Sequence, residues 1–257
     1  MIKITVVTIT FQAENVLERT VDSVLSQNYP HVQHLIIDGA SKDNTLSIAF
    51  AYKHRSDAVQ NGHEVIILSE PDKGIYDAMQ KGIDMARGTY LVFLNAGDCF
   101  HDNDTLSYVA HQAEQKGTLP AVIYGDTDVV DETGSFLYHR GLSPPENLNW
   151  HSFRWGMLVC HQAFYALTSI AKTVPYNQRY RFSADVDWCI RVMKEAERQQ
   201  LPLVNAHEVL VNYLEEGQTT LHHRESLKER FHIMKNHYGL LTTIVMHLWF
   251  LIRSVWK

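Results

Sequence analysis

Cysteine is scarce in this chain, which has 3 cysteines among 257 residues. Cys99, Cys160 and Cys189 lie far apart and are odd in number, so they exclude a disulfide framework and lack the close spacing of a zinc site. The layout of a secretory leader is also missing, because residues 1–9 run directly into a strand-like segment. We therefore expect a protein of the reducing cytoplasm.

Positive charge is in deficit as well. The formal net charge is −6 and the pI is near 6.2, which excludes the basic footprint of a general nucleic-acid binder. Internal repeats and low-complexity segments are absent. The chain is 45% hydrophobic and 20% charged, an ordinary balance for a soluble globular protein with one large core or a core and a small subdomain.

The first hundred residues alternate between strand and helix patterns. Short β-branched, apolar runs predict buried strands at residues 2–9, 32–37, 64–69 and 90–94. Helical spacing of apolar residues predicts helices between them, at residues 14–27, 45–58 and 77–87. This alternation is typical of βαβ units, so the sequence predicts an α/β fold with a doubly wound, mostly parallel central sheet.

The pattern loosens after residue 100. It predicts helices at residues 104–116, 181–197 and 225–238, a strand at 121–124, and a hairpin within 127–137 that turns at Thr133 and Gly134. We expect a soft boundary near residue 100 between two halves of one domain, with residues 101–222 as the second half and 223–257 as a helical tail.

Acidic side chains follow several of the predicted strands. Asp98 ends the turn after the apolar residues 91–94, Asp38 follows the second strand, and Asp72 lies in the loop after the third. The carboxyl ends of parallel strands in open α/β sheets build ligand sites. A carboxylate there can bind a hard cation such as Mg²⁺ or Mn²⁺, and that cation can hold a diphosphate.

Five short segments carry a resemblance to a known family. In chain order they read TITFQ (8–12), DGASKD (38–43), SEPDKGIYDAMQKG (69–82), LNAGD (94–98) and ADVDW (184–188). Together they resemble the family 2 glycosyltransferases, and the third is most similar to bacterial members that build exopolysaccharide, such as colanic-acid-type transferases. The resemblance implies the GT-A fold and inverting transfer of a sugar from a nucleoside diphosphate, expected to be UDP.

The resemblance also implies a metal and a base-binding site. It assigns Asp98 to a divalent cation, Mn²⁺ or Mg²⁺, that bridges the two phosphates of the donor; a turn or helix-cap aspartate is the alternative. It assigns Asp38 to the base or the ribose, with Thr8 and Phe11 flanking the base. For Asp38 the alternative is a turn residue, and for Phe11 it is an ordinary core aromatic.

The loop after the third strand completes the expected donor pocket. The resemblance places Asp72 and Lys73 in that loop and Asp77 at the start of the next helix, with Lys73 able to meet a phosphate as a point charge. The alternative is a polar turn followed by an acid that favours the positive end of the helix.

Asp185 is the predicted catalytic base. Inverting transfer needs one carboxylate to take the proton of the acceptor hydroxyl as its oxygen attacks the anomeric carbon, and the resemblance places Asp185 in that role. Asp187 lies two residues further along the same predicted helix, so its side chain points elsewhere. The adjacent His161 and Gln162 are either acceptor contacts or buried packing residues.

The acidic motif departs from the family pattern. Asn95 and Gly97 stand where many family members have Asp, which leaves Asp98 as its single carboxylate. A degenerate relative that binds a nucleotide-sugar or scaffolds polysaccharide assembly is therefore one alternative. A sugar-phosphate nucleotidyltransferase is another, but the segment after the first strand lacks the glycine-rich, basic phosphate loop which that chemistry requires.

The tail carries an apolar segment that is shorter than the roughly 20 residues needed to span a bilayer. Residues 240–252 read LLTTIVMHLWFLI, and Trp249, Arg253, Trp256 and Lys257 are of the kind found at membrane interfaces. We expect residues 240–257 to form a helix that lies on the cytoplasmic face of the membrane, where a lipid-linked saccharide acceptor would also lie. Packing on the protein's own core and a dimer contact are the alternatives.

These expectations combine into one hypothesis. Residues 1–100 would bind the nucleotide-sugar, and residues 101–222 would bind a saccharide or lipid-linked saccharide and supply the base. The protein would be a metal-dependent inverting glycosyltransferase of surface polysaccharide biosynthesis.

Overall fold

The computed structural model describes residues 1–115, 117–215 and 223–255. At its centre is one sheet, the first half of which is parallel. Its strands lie in the order β3-β2-β1-β4, and their bounds are β1 (Ile4–Thr10), β2 (Val32–Asp38), β3 (Glu64–Ser69) and β4 (Tyr90–Phe93). Strands β1, β2 and β4 are buried along their whole length, as expected for parallel strands that are covered on both faces.

The second half of the sheet is mostly antiparallel. It adds β5 (Cys99–Phe100), β6 (Val122–Val130), β7 (Phe136–His139), β8 (Phe164–Leu167) and β9 (Leu203–Leu214). The order continues from β4 as β8-β6-β9-β5, with β7 paired to β6. Strands β6 and β9 are parallel. A single sheet therefore continues across residue 100.

Helices α1, α2 and α3 cover the two faces of the parallel half. The α-helices of the described residues are α1 (Leu17–Leu25), α2 (Thr45–Val59), α3 (Ile75–Met85), α4 (Thr105–Glu114), α5 (Thr168–Ala171), α6 (Ala184–Arg198), α7 (His223–Tyr238) and α8 (Leu240–Val255). Helices α1 and α2 pack with Ile36 in one apolar cluster. Helix α3 packs with Val7 and Ile37 in a second, larger cluster. This is the doubly wound arrangement that the sequence predicts.

The start of α6 is anchored by aromatic packing. Trp188 is fully buried; its ring stacks on Tyr176 and meets the rings of Phe93 and Phe164 edge-on. Tyr176 in turn stacks on Tyr76 at the start of α3. Such ring contacts are directional as well as apolar, so they fix α6 and α3 relative to the carboxyl end of β4.

Most predicted elements are confirmed. Every strand and helix predicted in the first hundred residues is present, with ends displaced by at most three residues, and β6 and β7 form the predicted hairpin. Strand β9 is not predicted from the sequence, because polar residues such as Asn205, His207 and Glu208 interrupt its apolar pattern.

Helix α8 packs against the protein with one face and exposes an apolar face on the other side. Thr243 and Met246 are buried against the protein, and His247 meets the ring of Phe231 on α7. The opposite face is apolar and exposed, with Leu241 at 78% and Leu251 at 65% exposure. Among the described residues, no helix is long and apolar enough to cross a membrane.

Candidate active site

Asp38 lies at the carboxyl end of β2, where three parallel strands end side by side. The register pairs Thr10 with Asp38 and Asp38 with Ser69. The buried carboxylate accepts hydrogen bonds from the hydroxyls of Thr10 (3.0 Å), Ser41 (2.5 Å) and Ser69 (2.7 Å), and from the backbone N–H of Ser41 (3.0 Å). These four donors match the roughly four acceptor sites of a carboxylate, so Asp38 holds three segments of the chain together.

Thr8 lies in the core, beneath this edge of the sheet. Its hydroxyl is 2.9 Å from Nε2 of His34, whose Nδ1 is 2.7 Å from the hydroxyl of Tyr52. Burial lowers the pKa of His34 to about 3, so this ring stays neutral. The structure therefore places Thr8 in a buried polar chain, and Thr10 is the threonine that reaches Asp38.

Phe11 and Asp72 lie beside Gly39 at the same edge, and we name the space at these two side chains the strand-end cleft. Phe11 is 67% exposed, which is unusual for a large aromatic directly after a buried strand. A Cβ added to Gly39 would lie 3.1 Å from Oδ2 of Asp72 and 3.2 Å from the Phe11 ring. The bare backbone of Gly39 therefore lets the two side chains approach each other, and the exposed ring offers a flat face at the cleft.

Ion pairs between the loop after β3 and helix α3 hold the loop in place. Nζ of Lys81 lies 2.5 Å from Asp72 Oδ1 and 2.8 Å from Glu70 Oε1. Asp77 accepts a hydrogen bond from the backbone N–H of Lys73 (3.0 Å), so its carboxylate folds back on the start of α3. The side chain of Lys73 is exposed.

Asp98 closes a tight turn after β4. Gly97 has φ +102°, a conformation that L side chains rarely adopt, and a Cβ there would lie 2.8 Å from Leu214. An aspartate at position 97 would therefore be strained in this turn. The Asp98 carboxylate is 3% exposed and accepts hydrogen bonds from Gln162 Nε2 (2.7 Å) and the backbone N–H of Leu214 (3.0 Å). Burial raises the pKa of Asp98 to about 6.

Asp185 lies at the start of α6 between two partners. Its Oδ1 accepts a hydrogen bond from the hydroxyl of Tyr76 (3.1 Å), and its Oδ2 is 3.4 Å from Nδ1 of His161. Burial raises the pKa of Asp185, but the hydrogen bond from His161 and the charge of Arg230 outweigh it, so the pKa lies below its ordinary value. Asp185 is therefore ionised near neutral pH.

His161 and Gln162 connect the two acids. Nε2 of His161 is 3.2 Å from Nδ2 of Asn95, in the Asp98 turn, while the adjacent Gln162 donates to Asp98. Because the Asn95 amide donates to Nε2, this arrangement fits a neutral imidazole with its proton on Nδ1, facing Asp185. We name the set of Tyr76, Asn95, Asp98, His161, Gln162 and Asp185 the transfer centre. The sequence left the role of the His-Gln pair open, and only the folded chain shows the connection.

Asp187 has a different environment. It accepts hydrogen bonds from Arg191 Nε (2.7 Å) and His237 Nε2 (2.8 Å) and is buried. Burial raises the pKa of Asp187, but the His237 hydrogen bond and the Arg191 charge outweigh it and hold the pKa below its usual range. Asp187 thus joins α6 to α7, whereas Asp185 faces the transfer centre.

Helix α7 also fixes the segment before α6. The Glu229 carboxylate accepts hydrogen bonds from three consecutive backbone N–H groups, those of Arg181 (2.7 Å), Phe182 (2.8 Å) and Ser183 (3.0 Å). The hydroxyls of Ser183 and Ser226 are 2.9 Å apart. These contacts satisfy donors at a helix start that would otherwise lack partners. Sequence reasoning missed Glu229 because it lies far along the chain from these donors.

The Asp98 turn offers few ligands to a divalent cation. Both Asp98 oxygens accept hydrogen bonds from the protein, while the buried Oδ1 of Asn95 has no hydrogen-bond partner among the described residues. No group of three His, Cys, Asp or Glu side chains that could hold a metal occurs in the described ranges. The turn thus offers one carboxylate and one amide oxygen, which fits a cation whose other ligands are water and donor phosphates.

The sheet, the cleft at its strand ends and the buried acids define a transferase of the GT-A type. The profile of Glycosyl transferase family 2 matches residues 5–169, and the chain belongs to this family. A "PGL/p-HBAD biosynthesis glycosyltransferase" of Mycobacterium tuberculosis is 32% identical over 240 residues, which cover 92% of this chain and 86% of the relative. An uncharacterized glycosyltransferase of the same species is 30% identical over 73% of this chain and 68% of its own.

Two solved structures share the fold. TarS 1-349 of S. aureus, in complex with UDP-GlcNAc, has a TM-score of 0.70 at 14% identity, over 91% of this chain. The present chain spans 64% of that TarS chain. The mannosyltransferase PcManGT of Pyrobaculum calidifontis, in complex with GDP-Man and Mn²⁺, has a TM-score of 0.60 at 14% identity, over 95% of this chain and 74% of its own. At this level of identity the likeness concerns the fold.

Proposed function

We propose that this glycosyltransferase moves a sugar from a UDP-sugar to a hydroxyl of a saccharide or lipid-linked saccharide in surface polysaccharide or glycolipid biosynthesis, with inversion at the anomeric carbon. The observation that carries the proposal is the ionised Asp185, held by Tyr76 and His161 and linked through the His-Gln pair to the Asp98 turn. The binding of UDP-GlcNAc by TarS supports UDP as the nucleotide. Residues 1–100 supply the nucleotide side and residues 101–222 the acceptor side.

The chemistry follows from the position of the base. Asp185 accepts the proton of the acceptor hydroxyl while that oxygen forms a bond to the anomeric carbon. The bond from the anomeric carbon to the diphosphate oxygen breaks, and its electron pair leaves with the nucleoside diphosphate. Tyr76 and His161 hold the carboxylate in place, and no covalent enzyme intermediate is needed. A divalent cation at Asp98 would neutralise charge on the leaving diphosphate.

The nucleotide binds in the strand-end cleft. The exposed Phe11 ring stacks on the base, and Asp72 lines the donor pocket, with Asp77 shaping its loop. Asp38 binds the base or ribose by exchanging one serine hydroxyl for a donor group of the ligand, because its four acceptor sites are filled in the unliganded chain.

Calorimetric titration of the full chain with UDP, GDP and dTDP, each with Mn²⁺ and with EDTA, tests this assignment. We expect UDP to bind, more tightly with Mn²⁺. Asp98→Ala should remove the Mn²⁺-dependent part of the affinity, and a thermal melt of that variant checks its fold, because Leu214 and Gln162 lose an acceptor. Equal UDP affinity with Mn²⁺ and EDTA would refute the metal site.

A second candidate function is a nucleotide-sugar-binding or scaffold protein without catalysis. The single carboxylate of the 94–98 turn and the satisfied oxygens of Asp98 favour it. The same titration distinguishes the candidates. Binding of no nucleotide would leave a scaffold role, while binding followed by sugar transfer to a saccharide acceptor excludes it.

The exposed face of α8 supports a peripheral contact of residues 240–257 with the cytoplasmic face of the membrane. A continuous apolar face that is open to solvent is typical of interaction surfaces, and cations that flank an apolar helix face attract anionic lipids. Arg253 lies over the ring of Phe250 and Arg154 over that of Trp155, which meets Trp249 edge-on. A lipid-linked acceptor would be presented at this surface.

Vesicle flotation tests the membrane contact. The full chain should float with vesicles of phosphatidylethanolamine and phosphatidylglycerol, and the double variant Leu241→Ser, Leu251→Ser should not, because both side chains are mostly exposed and cost little stability when replaced. Phe136→Ser, at another exposed apolar position, on β7, is the control and should float like the parent. Flotation of the double variant would refute the contact.

A further inference from the structure

A groove lies beside Asp185, whose carboxylate accepts a hydrogen bond from the lining residue Tyr76. Its volume is about 270 Å³. One wall comes from the start of α3 and the loop before it, and the other from the segment before α6. The lining residues are Lys73, Gly74, Ile75, Tyr76, Gln178, Tyr180, Arg181 and Phe182.

The two oxygens of Asp185 face opposite sides. Oδ2 is directed at His161, which contacts Asn95 in the Asp98 turn, and Oδ1 accepts a hydrogen bond from Tyr76, a residue of the groove. In an inverting reaction the attacking hydroxyl and the leaving diphosphate lie on opposite faces of the sugar. A diphosphate at the Asp98 turn therefore places the acceptor in the groove.

Two cations border this groove. Lys73 and Arg181 are exposed, one on each wall. Among residues 1–115, 117–215 and 223–255, neither side chain forms an ion pair. Two exposed cations that face one groove without an ion-pair partner among these residues favour an anionic ligand.

The acids near these cations have other partners. Asp77 accepts from the backbone N–H of Lys73 and lies 4.0 Å from Lys81. Glu229 is filled by the three N–H groups of residues 181–183, and Asp185 faces Tyr76 and His161. Among the described residues, none of these carboxylates forms an ion pair with the side chain of Lys73 or Arg181.

The remaining lining suits a sugar ring. Tyr180 is partly exposed and offers an aromatic face, and the Gln178 amide, which donates to the backbone carbonyl of Tyr76 at 3.2 Å, keeps its oxygen for a hydroxyl. Aromatic faces with a few placed polar groups are typical of small-molecule sites.

We propose that this groove is the acceptor subsite and that it takes a saccharide bearing an anionic group, a phosphate or a carboxylate, which Lys73 and Arg181 bind. The proposal rests on the proposed function and narrows its acceptor class. It also gives Lys73 a role on the acceptor side, in place of the contact with a donor phosphate.

Binding of simple probes tests the proposal. The full chain is titrated with glucose 6-phosphate, glucuronate and glucose, with and without UDP and Mn²⁺. We expect at least one anionic probe to bind at least tenfold more tightly than glucose at low salt, with a preference that shrinks as salt is added. Comparison of the phosphate and carboxylate probes identifies the anion that the groove prefers.

Charge-removing variants localise the effect. Arg181→Gln and Lys73→Gln should each weaken binding of the anionic probe at least fivefold, while Arg179→Gln, an exposed neighbour outside the groove, should not change it. Equal affinity for charged and neutral probes, or an equal loss in Arg179→Gln, would overturn the proposal. Loss of UDP affinity in Lys73→Gln would return Lys73 to the donor side and overturn its acceptor role.

Failure of this proposal can be distinguished from failure of the proposed function. The anion preference is measured without UDP, and UDP binding is measured without a saccharide. A chain that binds UDP but shows no anion preference keeps the transferase assignment and overturns the acceptor class. A chain that binds no nucleotide refutes the proposed function, whatever the groove binds.

Discussion

The nucleotide side and the transfer centre are built in different ways. At the nucleotide side, Asp38 is held by residues of adjacent strand ends, and all four of its acceptor sites are filled. At the transfer centre, Asp185 receives two contacts, from Tyr76 and His161, which lie 109 residues and 24 residues away in the chain. The first arrangement shapes a cleft, whereas the second leaves a carboxylate with capacity for a further proton or hydrogen bond.

The comparison separates acids that hold the fold from an acid that can react. Asp38 and Asp187 are satisfied by neighbours, and removing either should disturb structure first. Asp185 has a depressed pKa and lies between the groove and the Asp98 turn, so removing it should disturb chemistry first. Substitutions at Asp185, Asp187 and Tyr76 test this division between structural and catalytic acids.

Asp185→Asn should abolish transfer while leaving nucleotide binding intact. Asparagine keeps the size and the hydrogen bond from Tyr76 but cannot take a proton, and a positioned base contributes about 10²–10⁴-fold to a rate. We expect kcat to fall by about 10³-fold, with an unchanged UDP affinity by calorimetry. Substantial activity in this variant would move the base to another residue.

Asp187→Asn should show the opposite pattern. Breaking a buried ion pair costs about 3 kcal/mol of unfolding free energy, because Arg191 and His237 lose their common partner, but the folded variant should retain transfer. Denaturant unfolding at pH 7 measures the loss. Loss of transfer by Asp187→Asn in a fully folded sample, with Asp185→Asn active, would exchange the two roles.

The pH dependence of that difference follows from the sign of the shift. The pKa of Asp187 is lower in the folded chain than its ordinary value of 3.8. Its stabilising contribution is therefore fully present above that value and is lost as the pH falls through the folded pKa. The stability difference between the parent and Asp187→Asn should therefore shrink below about pH 4.

Tyr76→Phe should affect the rate and spare the fold. The ring keeps its stack on Tyr176, while Asp185 loses a charge-assisted hydrogen bond, which is worth about 1.5 kcal/mol or about tenfold in kcat. Tyr176→Phe is the matched control, because the Tyr176 hydroxyl has no hydrogen-bond partner among the described residues; it should leave kcat unchanged. Equal rates in the two variants would remove Tyr76 from the transfer centre.

The sequence predicts one region better than the other for a physical reason. Runs of β-branched residues and the turns after them are local signals, so the parallel strands and the positions of Asp38 and Asp98 at their ends follow from the chain alone. The depth of Thr8 could not be predicted, because it depends on His34 and Tyr52 on neighbouring elements.

The transfer centre depends on contacts that no local pattern encodes. Helical geometry separates Asp185 from Asp187, but the choice between them rests on His161 and His237, which lie far from both in sequence. The sequence around Glu229 does not indicate its role, because the three N–H groups that donate to it belong to residues 181–183. Likewise, β9 is recognised as a strand only from its pairing with β6.

Phe11→Ala tests the nucleotide side directly. Stacking of a base on an aromatic ring contributes about 1–3 kcal/mol, so UDP affinity should fall by about tenfold, while stability changes little because the ring is 67% exposed. Phe50→Ala, at an exposed position of α2, controls for loss of surface area and should bind UDP like the parent. An unchanged UDP affinity in Phe11→Ala would mean that the base lies elsewhere, and the hydrogen bonds around Asp38 would then serve only to join the ends of β1, β2 and β3.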